Sequence, residues 1–421
     1  MRSLVNSPSR RKAAAHELFN LRVPGLDERR RPAEPARATL GTVRVETGVL
    51  ARKPEVRPVR IMFLYLGRRG IISRLLLEIM RSAHNFSDIE ASVCLSRQNE
   101  IYRAFVEFEK SVVNVNTFAT DHGAIFAAWR IPILRQTIGA EIRRRQVSAV
   151  IELMPHVWSP FLVSAIRRAG ARYITVAHDA VAHPGDLTGR ANRVINLAVA
   201  RADRVVTLSQ TVTARLQDSG RASPDKISTL FLPDITYSSQ NARTPRKPEA
   251  PLRVLFFGRI LPYKGLGIFV DALERLGRAG LRVEAGVFGE GALGINEARL
   301  KLIGAEVINR WIGEEEIASI LSRYDVMVVS HVEASQSGVV ATAFGAGLPV
   351  IATPVGALPE QVSNGVNGLV ADAVSGDALA MAIKRLASDP ALYADLCKGV
   401  ENTHEQRSLQ SFVNECIKLV C

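Results

Sequence analysis

The chain has 421 residues, which exceeds the usual size of one hydrophobic core, so two domains are the first expectation. Apolar residues make up 47% and charged residues 23%, a balance that argues against a chain disordered throughout and against a membrane-spanning protein. The net charge is +13. The four cysteines show neither a C-x-x-C pair nor metal-ligand spacing, so we expect no disulfide framework, no metal site and a cytoplasmic location.

The positive charge is concentrated at the start of the chain. Residues 1–60 hold fourteen Lys or Arg against six Asp or Glu, with few aromatic residues and no sustained periodicity. This composition predicts a basic, disordered arm over residues 1–56. Charge alone would allow nucleic-acid binding, but no recognised nucleic-acid module follows, so none is expected as a partner. An anionic membrane surface is the favoured partner, because clustered Lys and Arg contribute roughly 1 kcal/mol each near such a surface.

From Val59 onwards short apolar runs alternate with amphipathic stretches, which is the pattern of parallel strands joined by helices. A first domain is predicted at 57–235, a linker rich in Pro, Ser and Asn at 236–251, and a second domain at 252–400. Residues 401–421 are predicted to form a helix that packs back towards the first domain. The predicted fold class is therefore α/β, with two doubly wound, Rossmann-like domains that face a central cleft.

Open parallel sheets bind ligands at the carboxyl ends of their strands, so the loops that directly follow strands are the candidate sites. The first such loop, FFGRILPYKG, contains Gly258, Arg259 and Lys264 shortly before a predicted helix. Glycine permits close backbone approach, and two cations beside a helix N-terminus favour a diphosphate site over a merely solvated basic loop.

A second loop, VFGEGALG, contains a formal G-x-G-x-x-G pattern after a predicted strand. Alone it would indicate a dinucleotide site, but the next predicted strand ends near Arg310 and Trp311, where a dinucleotide enzyme needs an acid for the ribose hydroxyls. We therefore expect Gly289 and Gly291 to form a close-approach loop that lines the cleft.

The third loop lies within SHVEASQSGVVATAFGAGLPVIATPVG, where a strand leads to Glu333 and then to a helix of small residues. We expect free backbone N–H groups in its first turn, Ser337 to Val339, and an acceptor for sugar hydroxyls at Glu333. Tight packing on the sheet suffices to explain Ala343, Gly345 and Gly347. It does not explain an acid placed where the strand stops.

The motifs GRILPYKG, FGEG, GAGLPVIATPVGALPE and VSNGVNGLVAD resemble, in order and spacing, the nucleotide-sugar domain of retaining glycosyltransferase family 4, which has the two-domain GT-B fold. The resemblance implies that Arg259 and Lys264 bind the donor diphosphate. The family also carries two glutamates separated by seven residues. Here Ala334 and Thr342 occupy those positions, with Glu333 one place early, so the chain resembles a variant that lacks the second glutamate.

In that variant the threonine Thr342 would hold the nucleotide ribose more weakly than glutamate does. The fragment SQSGV resembles a subgroup in which Ser337, Gly338 and Val339 still present backbone donors to the phosphates. The resemblance thus implies a set of donor-binding residues, which are Gly258, Gly289, Gly291, Ser337, Gly338, Val339 and Thr342.

In the first domain, YITVAHDAVAHPGD places His178 at a strand end. The resemblance implies that His178 orients the donor or the acceptor, although a hydrogen-bonded core histidine and a metal site with Asp179 and His183 are alternatives. The metal site is disfavoured because five-residue spacing puts the two histidines on no common helical face. The loop from Gly67 to Gly70, GRRG, is expected on the acceptor side.

Together these features predict an enzyme that moves a hexose from a nucleoside-diphosphate sugar to a glycan or lipid-linked acceptor with retention of configuration, in polysaccharide or glycoconjugate biosynthesis. Arg259, Lys264, Glu333 and His178 are the candidate catalytic residues, and neither a cofactor nor a metal is expected. A catalytically silent nucleotide-sugar-binding subunit and a dinucleotide-dependent oxidoreductase are the alternatives.

A basic stretch in the first domain bears on where the protein acts. The segment from Trp129 to Gln146 places Leu134, Ile138 and Ile142 at helical spacing, and a core-packed helix with a basic outer face is the favoured interpretation. Because the basic stretches cluster in the acceptor half, we also expect peripheral docking at the inner face of the cell membrane.

Overall fold

The computed structural model describes residues 58–83, 85–86, 88–120, 123–178, 189–237, 246 and 249–420, and of residues 189–192 it describes the backbone alone. The predicted arm at 1–56, most of the predicted linker, and Asp179 and His183 of the metal-site alternative lie outside these residues.

The first half of the described chain forms a sheet of seven parallel strands in the order β3-β2-β1-β4-β5-β6-β7. Its strands are β1 (Val59–Tyr65), β2 (Ile89–Ser96), β3 (Val112–Val115), β4 (Ala149–Glu152), β5 (Arg172–Ala177), β6 (Arg204–Thr207) and β7 (Ile227–Thr229). Its helices are α1 (Ile71–Ala83), α2 (Gly123–Phe126), α3 (Ile131–Arg145), α4 (Ser159–Arg168), α5 (Gly189–Ala200) and α6 (Gln210–Asp218).

The second half forms a sheet of six parallel strands in the order β10-β9-β8-β11-β12-β13. Its strands are β8 (Leu252–Phe257), β9 (Val283–Phe288), β10 (Glu306–Ile308), β11 (Val326–Val329), β12 (Val350–Ala352) and β13 (Gly368–Val370). The helices that follow are α7 (Leu266–Arg278), α8 (Asn296–Ile303), α9 (Glu314–Ser322), α10 (Gly338–Gly345), α11 (Leu358–Gln361), α12 (Gly376–Ser388), α13 (Pro390–Asn402) and α14 (Leu409–Lys418). The predicted α/β class with two doubly wound sheets is confirmed.

Helices cover both faces of each sheet, so each sheet is buried between two apolar clusters. This is why the strands read as continuous apolar runs rather than as alternating sequences. In α3 the side chains of Leu134, Ile138 and Ile142 are buried against the first sheet, which confirms the predicted core-packed face. In the part of the chain that the structure describes, no helix combines the length and apolar character needed to cross a membrane.

The chain ends by returning to the first sheet. Phe412, Val413 and Cys416 of α14 join the apolar cluster formed by α1 and one face of the first sheet. The segment before α14 is tied to the chain that follows β7 through Asp234, whose buried carboxylate accepts bonds of 2.9 and 3.1 Å from the Arg407 guanidinium. The C-terminal helix is thus part of the core of the first half.

The Asp234 carboxylate gives a first testable expectation. Asp234→Ala should lower the free energy of unfolding by about 3 kcal/mol, because it leaves the half-buried Arg407 cation without its partner. Urea unfolding monitored by circular dichroism measures this loss. The matched control is Arg144→Ala, which breaks a surface pair with Glu141 and should leave the free energy of unfolding nearly unchanged. Equal losses in the two variants would contradict a structural role for Asp234.

Candidate functional site

A cavity of about 460 Å³ lies between the two halves, where the carboxyl ends of their strands face each other. We call it the interdomain cavity. Its predicted site residues are Gly70, His178, Gly258, Arg259, Lys264, Gly289, Gly338, Val339 and Thr342. The structure therefore brings together most of the residues that the three loops predicted.

A second cavity, of about 410 Å³, lies near α6, α10 and α14 and contains none of the predicted site residues. Its charged side chains have structural partners within the protein. Glu360 accepts hydrogen bonds from the N–H groups of Gln210 and Thr211 at the start of α6, and Arg407 is paired with Asp234. We therefore take the interdomain cavity as the candidate site.

Glycines allow two loops to meet at the edge of the second sheet. Gly258 follows β8 and has a φ of +101°. Gly289 follows β9 and packs against Gly258, since a Cβ at Gly289 would overlap the carbonyl oxygen of Gly258. Arg259 is exposed in the cavity wall, and the described residues give it no hydrogen-bond or ion-pair partner. The Lys264 ammonium lies 5.0 Å from the centre of the Tyr263 ring. The cavity wall thus carries two cations beside tightly packed backbone.

Gly291 has a structural rather than a lining position. A Cβ at Gly291 would overlap the carbonyl oxygen of Ile260, and the two residues form a β-bridge. The expectation of a close-approach glycine is therefore correct. The expectation that Gly291 lines the cleft is not, because Gly291 is absent from the residues that form the cavity wall.

Helix α10 begins at the cavity with Ser337 as its N-terminal cap residue. Gly338 and Val339, in its first turn, line the cavity with N–H groups that the helix itself leaves unused. The prediction of a free N–H at Ser337 is wrong, since that group donates to Gln361 Oε1 at 2.7 Å. A Cβ at Gly338 would lie 2.8 Å from Ile71 Cδ1, so this glycine also lets α10 approach α1.

Glu333 lies outside the cavity wall. Its carboxylate is half-buried and lies 3.9 Å from the Arg215 guanidinium, and it is Ala334 that faces the cavity. The expected acceptor for sugar hydroxyls at Glu333 is therefore not placed where it could serve. Thr342, in contrast, is buried and lines the cavity beside Tyr237, a residue that the sequence did not single out.

His178 sits in the cavity wall with both ring nitrogens engaged. Nε2 lies 2.6 Å from the carbonyl oxygen of Leu153, and Nδ1 lies 2.9 Å from the side-chain nitrogen of Gln336. Leu153 belongs to the first half and Gln336 to the loop before α10. The histidine is thus held between the two halves, and Gln336 is a site residue that the sequence did not reveal.

The GRRG loop reaches across the cavity mouth. The Gly70 N–H donates to Glu100 Oε1 at 2.7 Å, and Glu100 Oε2 accepts from the Trp311 indole N–H at 3.0 Å. The Arg69 guanidinium lies 4.5 Å from the centre of the Trp311 ring. Gly70 therefore lines the cavity, whereas Gly67 does not and lies against the Tyr65 side chain.

Glu314 is an acid in the cavity wall that the sequence did not single out. Burial raises the pKa of its carboxyl group to about 7, and the nearby Arg74 guanidinium, 3.7 Å away, only partly opposes this shift. The nearby carboxylates of Glu100 and Glu78 raise the pKa further. The group therefore changes protonation near neutral pH.

This raised pKa predicts a pH-dependent stability. The folded state holds the Glu314 proton up to about pH 7, whereas the unfolded chain releases it near the ordinary value, so this residue lowers stability as pH rises between the two. Glu314→Gln should remove that contribution. Relative to the unsubstituted chain, the variant should gain on the order of 1–2 kcal/mol between about pH 4.5 and 8 in urea unfolding. A difference that does not change with pH would contradict the shift.

Residues 251–389 match the family model described as glycosyl transferases group 1. The chain is 29% identical to a D-inositol 3-phosphate glycosyltransferase of Acidothermus cellulolyticus, over 51% of this chain and 52% of that protein. It is also 29% identical to a glycogen synthase of Mycobacterium tuberculosis, over 51% of this chain and 54% of that protein. The chain thus spans about half the length of these curated relatives.

The fold resembles that of solved glycosyltransferase structures. Anabaena Alr3699/HepE in complex with UDP and glucose aligns with a TM-score of 0.65 and 17% identity, covering 86% of this chain and 99% of that one. A glycosyltransferase from Rickettsia africae aligns with a TM-score of 0.65 and 15% identity, covering 86% of this chain and 98% of that one. The chain therefore has the GT-B fold, and its segment 251–389 is similar to the group 1 glycosyl transferases.

Proposed function

We propose that this protein is a retaining glycosyltransferase that moves a hexose from a nucleoside-diphosphate sugar to a glycan or lipid-linked acceptor. The observation that carries the proposal is the meeting of Arg259, Lys264 and the first turn of α10 in one cavity of about 460 Å³. Cations and helix N–H groups favour an anion, and the volume suits a small-molecule ligand.

The transfer reaction requires stabilisation of the negative charge that develops on the leaving group. When the bond between the anomeric carbon and the diphosphate oxygen breaks, negative charge grows on the departing diphosphate, and Arg259, Lys264 and the N–H groups of Gly338 and Val339 stabilise it. The acceptor oxygen then bonds to the anomeric carbon from the same face, and its proton passes to the leaving diphosphate. This front-face course follows from the family resemblance. It requires no carboxylate nucleophile, which agrees with the position of Glu333 outside the cavity.

The comparisons support the donor class. Anabaena Alr3699/HepE has been solved in complex with UDP and with UDP-glucose, and its fold matches this chain. The silent-subunit alternative rests on Thr342, which occupies the cavity wall where the family has its second glutamate. Release of free nucleoside diphosphate from a nucleotide-sugar would exclude that alternative. The oxidoreductase alternative is weakened because Gly291 is used for backbone packing rather than for lining a site.

Arg259→Ala and Lys264→Ala test the diphosphate site. Each variant should lose about 1.5–3 kcal/mol of donor interaction, which is roughly a ten- to hundredfold loss in kcat/KM, with unchanged thermal stability. Turnover of a panel of nucleotide-sugars, with detection of the released nucleoside diphosphate, measures the loss. Arg278→Ala removes a largely exposed cation of the same half and serves as the control. If all three variants behave like the unsubstituted chain, the two cations do not bind the donor.

We also propose that the first half docks on an anionic membrane. Four large apolar side chains are exposed in α2, in the 3-10 helix Ala128–Arg130 and in the first turn of α3: Ile125 by 81%, Phe126 by 82%, Trp129 by 64% and Ile133 by 55%. The Arg130 guanidinium lies 5.3 Å from the centre of the Trp129 ring. Apolar side chains with adjacent cations fit the boundary between lipid headgroups and acyl chains. A lipid-linked acceptor would then be presented to the same half of the protein.

Vesicle co-sedimentation of the full chain tests the docking. Binding to phosphatidylglycerol-containing vesicles should fall about tenfold or more in Phe126→Ser/Trp129→Ser, because two large apolar side chains no longer enter the lipid. Deletion of residues 1–56 should reduce the salt-sensitive part of binding. The matched control is Leu302→Ser, which removes an apolar side chain of the second half that is 89% exposed. No binding at low salt, or equal binding of both variants, would leave a soluble acceptor as the better hypothesis.

A further inference from the structure

One side-chain contact links the two halves at the wall of the interdomain cavity. Gln336 reaches from the loop before α10 to His178, at the end of β5, and its side-chain nitrogen lies 2.9 Å from Nδ1 of the imidazole. Both residues line the cavity, and His178 is buried. The histidine therefore contacts the second half through the Gln336 amide.

The two described contacts of the His178 ring favour one of its protonation states. The backbone oxygen of Leu153 can only accept, so Nε2, 2.6 Å away, must carry a proton. Nδ1 is then an acceptor if the ring is neutral, and the Gln336 amide donates to it. A proton on Nδ1 would point at the N–H groups of that amide. The arrangement therefore stabilises the neutral Nε2–H tautomer and opposes the imidazolium.

The backbone on either side of Gln336 is anchored, which fixes where its amide can reach. The Ser209 hydroxyl donates to the carbonyl oxygen of Ser335 at 2.8 Å, and the Gln361 side chain accepts from the Ser337 N–H at 2.7 Å. The side-chain oxygen of Gln336 is buried without a hydrogen-bond partner among the described residues.

The charged side chains around the cavity show how the wall would change if His178 were protonated to an imidazolium. The charged side chains in its wall are Arg69, Glu100, Arg259, Lys264, Glu290 and Glu314, and His331 is the other imidazole. Glu100 accepts from Gly70 and Trp311, and Glu290 lies 3.5 Å from Arg69. An imidazolium at His178 would add one more cation to a wall that already carries Arg69, Arg259 and Lys264.

We propose that Gln336 is a positioning residue for the transfer reaction, which holds His178 as the neutral Nε2–H tautomer in a fixed orientation towards the bound sugar. Its catalytic part rests on the proposed glycosyltransferase function. Its structural part does not, because the tautomer and its dependence on Gln336 are properties of the chain itself. The two parts can therefore fail separately.

The structural part is tested by nuclear magnetic resonance of ring-labelled histidine in the full chain, with the His178 signal assigned from a His178→Gln variant. In the unsubstituted chain the nitrogen shifts should report the Nε2–H tautomer, and the signal should not titrate between about pH 5.5 and 8.5. In Gln336→Glu the new carboxylate faces Nδ1 and stabilises its proton, so the signal should titrate within that window. Gln217→Glu places the same charge on the exposed surface of α6, where the side chain anchors no part of the Gln336 loop, and it should leave the signal unchanged.

The catalytic part is tested with whichever nucleotide-sugar the chain turns over. Gln336→Leu should lower kcat about tenfold or more with a small change in donor KM, and Gln336→Glu should acquire an ionisation in its pH–rate profile that the unsubstituted chain lacks. Titration of His178 in the unsubstituted chain, or the same response to Gln336→Glu and Gln217→Glu, overturns the proposal. Absence of turnover with every donor counts against the proposed function instead, while the resonance experiment still decides the role of Gln336. If Gln336→Glu does not fold, the appearance of a titrating His178 in Gln336→Leu supports the proposal, and its absence overturns it.

Discussion

Close backbone contact at the carboxyl edge of the second sheet is the constraint on which the rest of the site depends. A Cβ at Gly265 would overlap the carbonyl oxygen of Ser330, and a Cβ at Gly356 would overlap that of Ala334. At Gly345 it would overlap the carbonyl oxygen of Ile235, in the segment that follows the first sheet. Any other residue at these positions would push the loops apart. The small residues around α10 thus let three loops and the other half of the protein meet at one cavity.

The charged side chains of the cavity wall differ in whether they have partners within the protein. The acids of the wall are engaged, since Glu100 holds Gly70 and Trp311, and Glu290 lies beside Arg69. Arg259 has no such partner among the described residues. An unpaired charge adds nothing to the stability of the fold. A cation kept available in a wall whose acids are engaged is typical of a binding site rather than of a structural ion pair.

The sequence predicted those features that depend on local pattern. Buried parallel strands have long apolar runs, and their carboxyl ends locate Gly258, Gly289 and Gly338 at the site without knowledge of tertiary contacts. The prediction for Glu333 is wrong because a shift of one residue along the loop turns a side chain to another face. The prediction of a free N–H at Ser337 is wrong because this group donates a hydrogen bond to Gln361, which lies 24 residues further along the chain.

Other site residues could not have been predicted from the sequence in any direct way. Glu100 and Trp311 are 211 residues apart, and His178 and Gln336 are 158 residues apart. Each pair joins the two halves, and neither a periodicity nor a motif records which side chains will meet across a cleft. Tyr237 was missed for a different reason, since it lies in a segment whose composition indicated only a linker.

The return of α14 to the first sheet has a consequence for how such proteins diverge. Phe412 and Cys416 are core residues of the first half, although more than 150 residues of the second half separate them from it along the chain. The two halves are therefore not interchangeable modules divided at a single boundary. An exchange of the donor-binding half between two relatives would preserve a complete apolar core only if the C-terminal helix were inherited together with the first half.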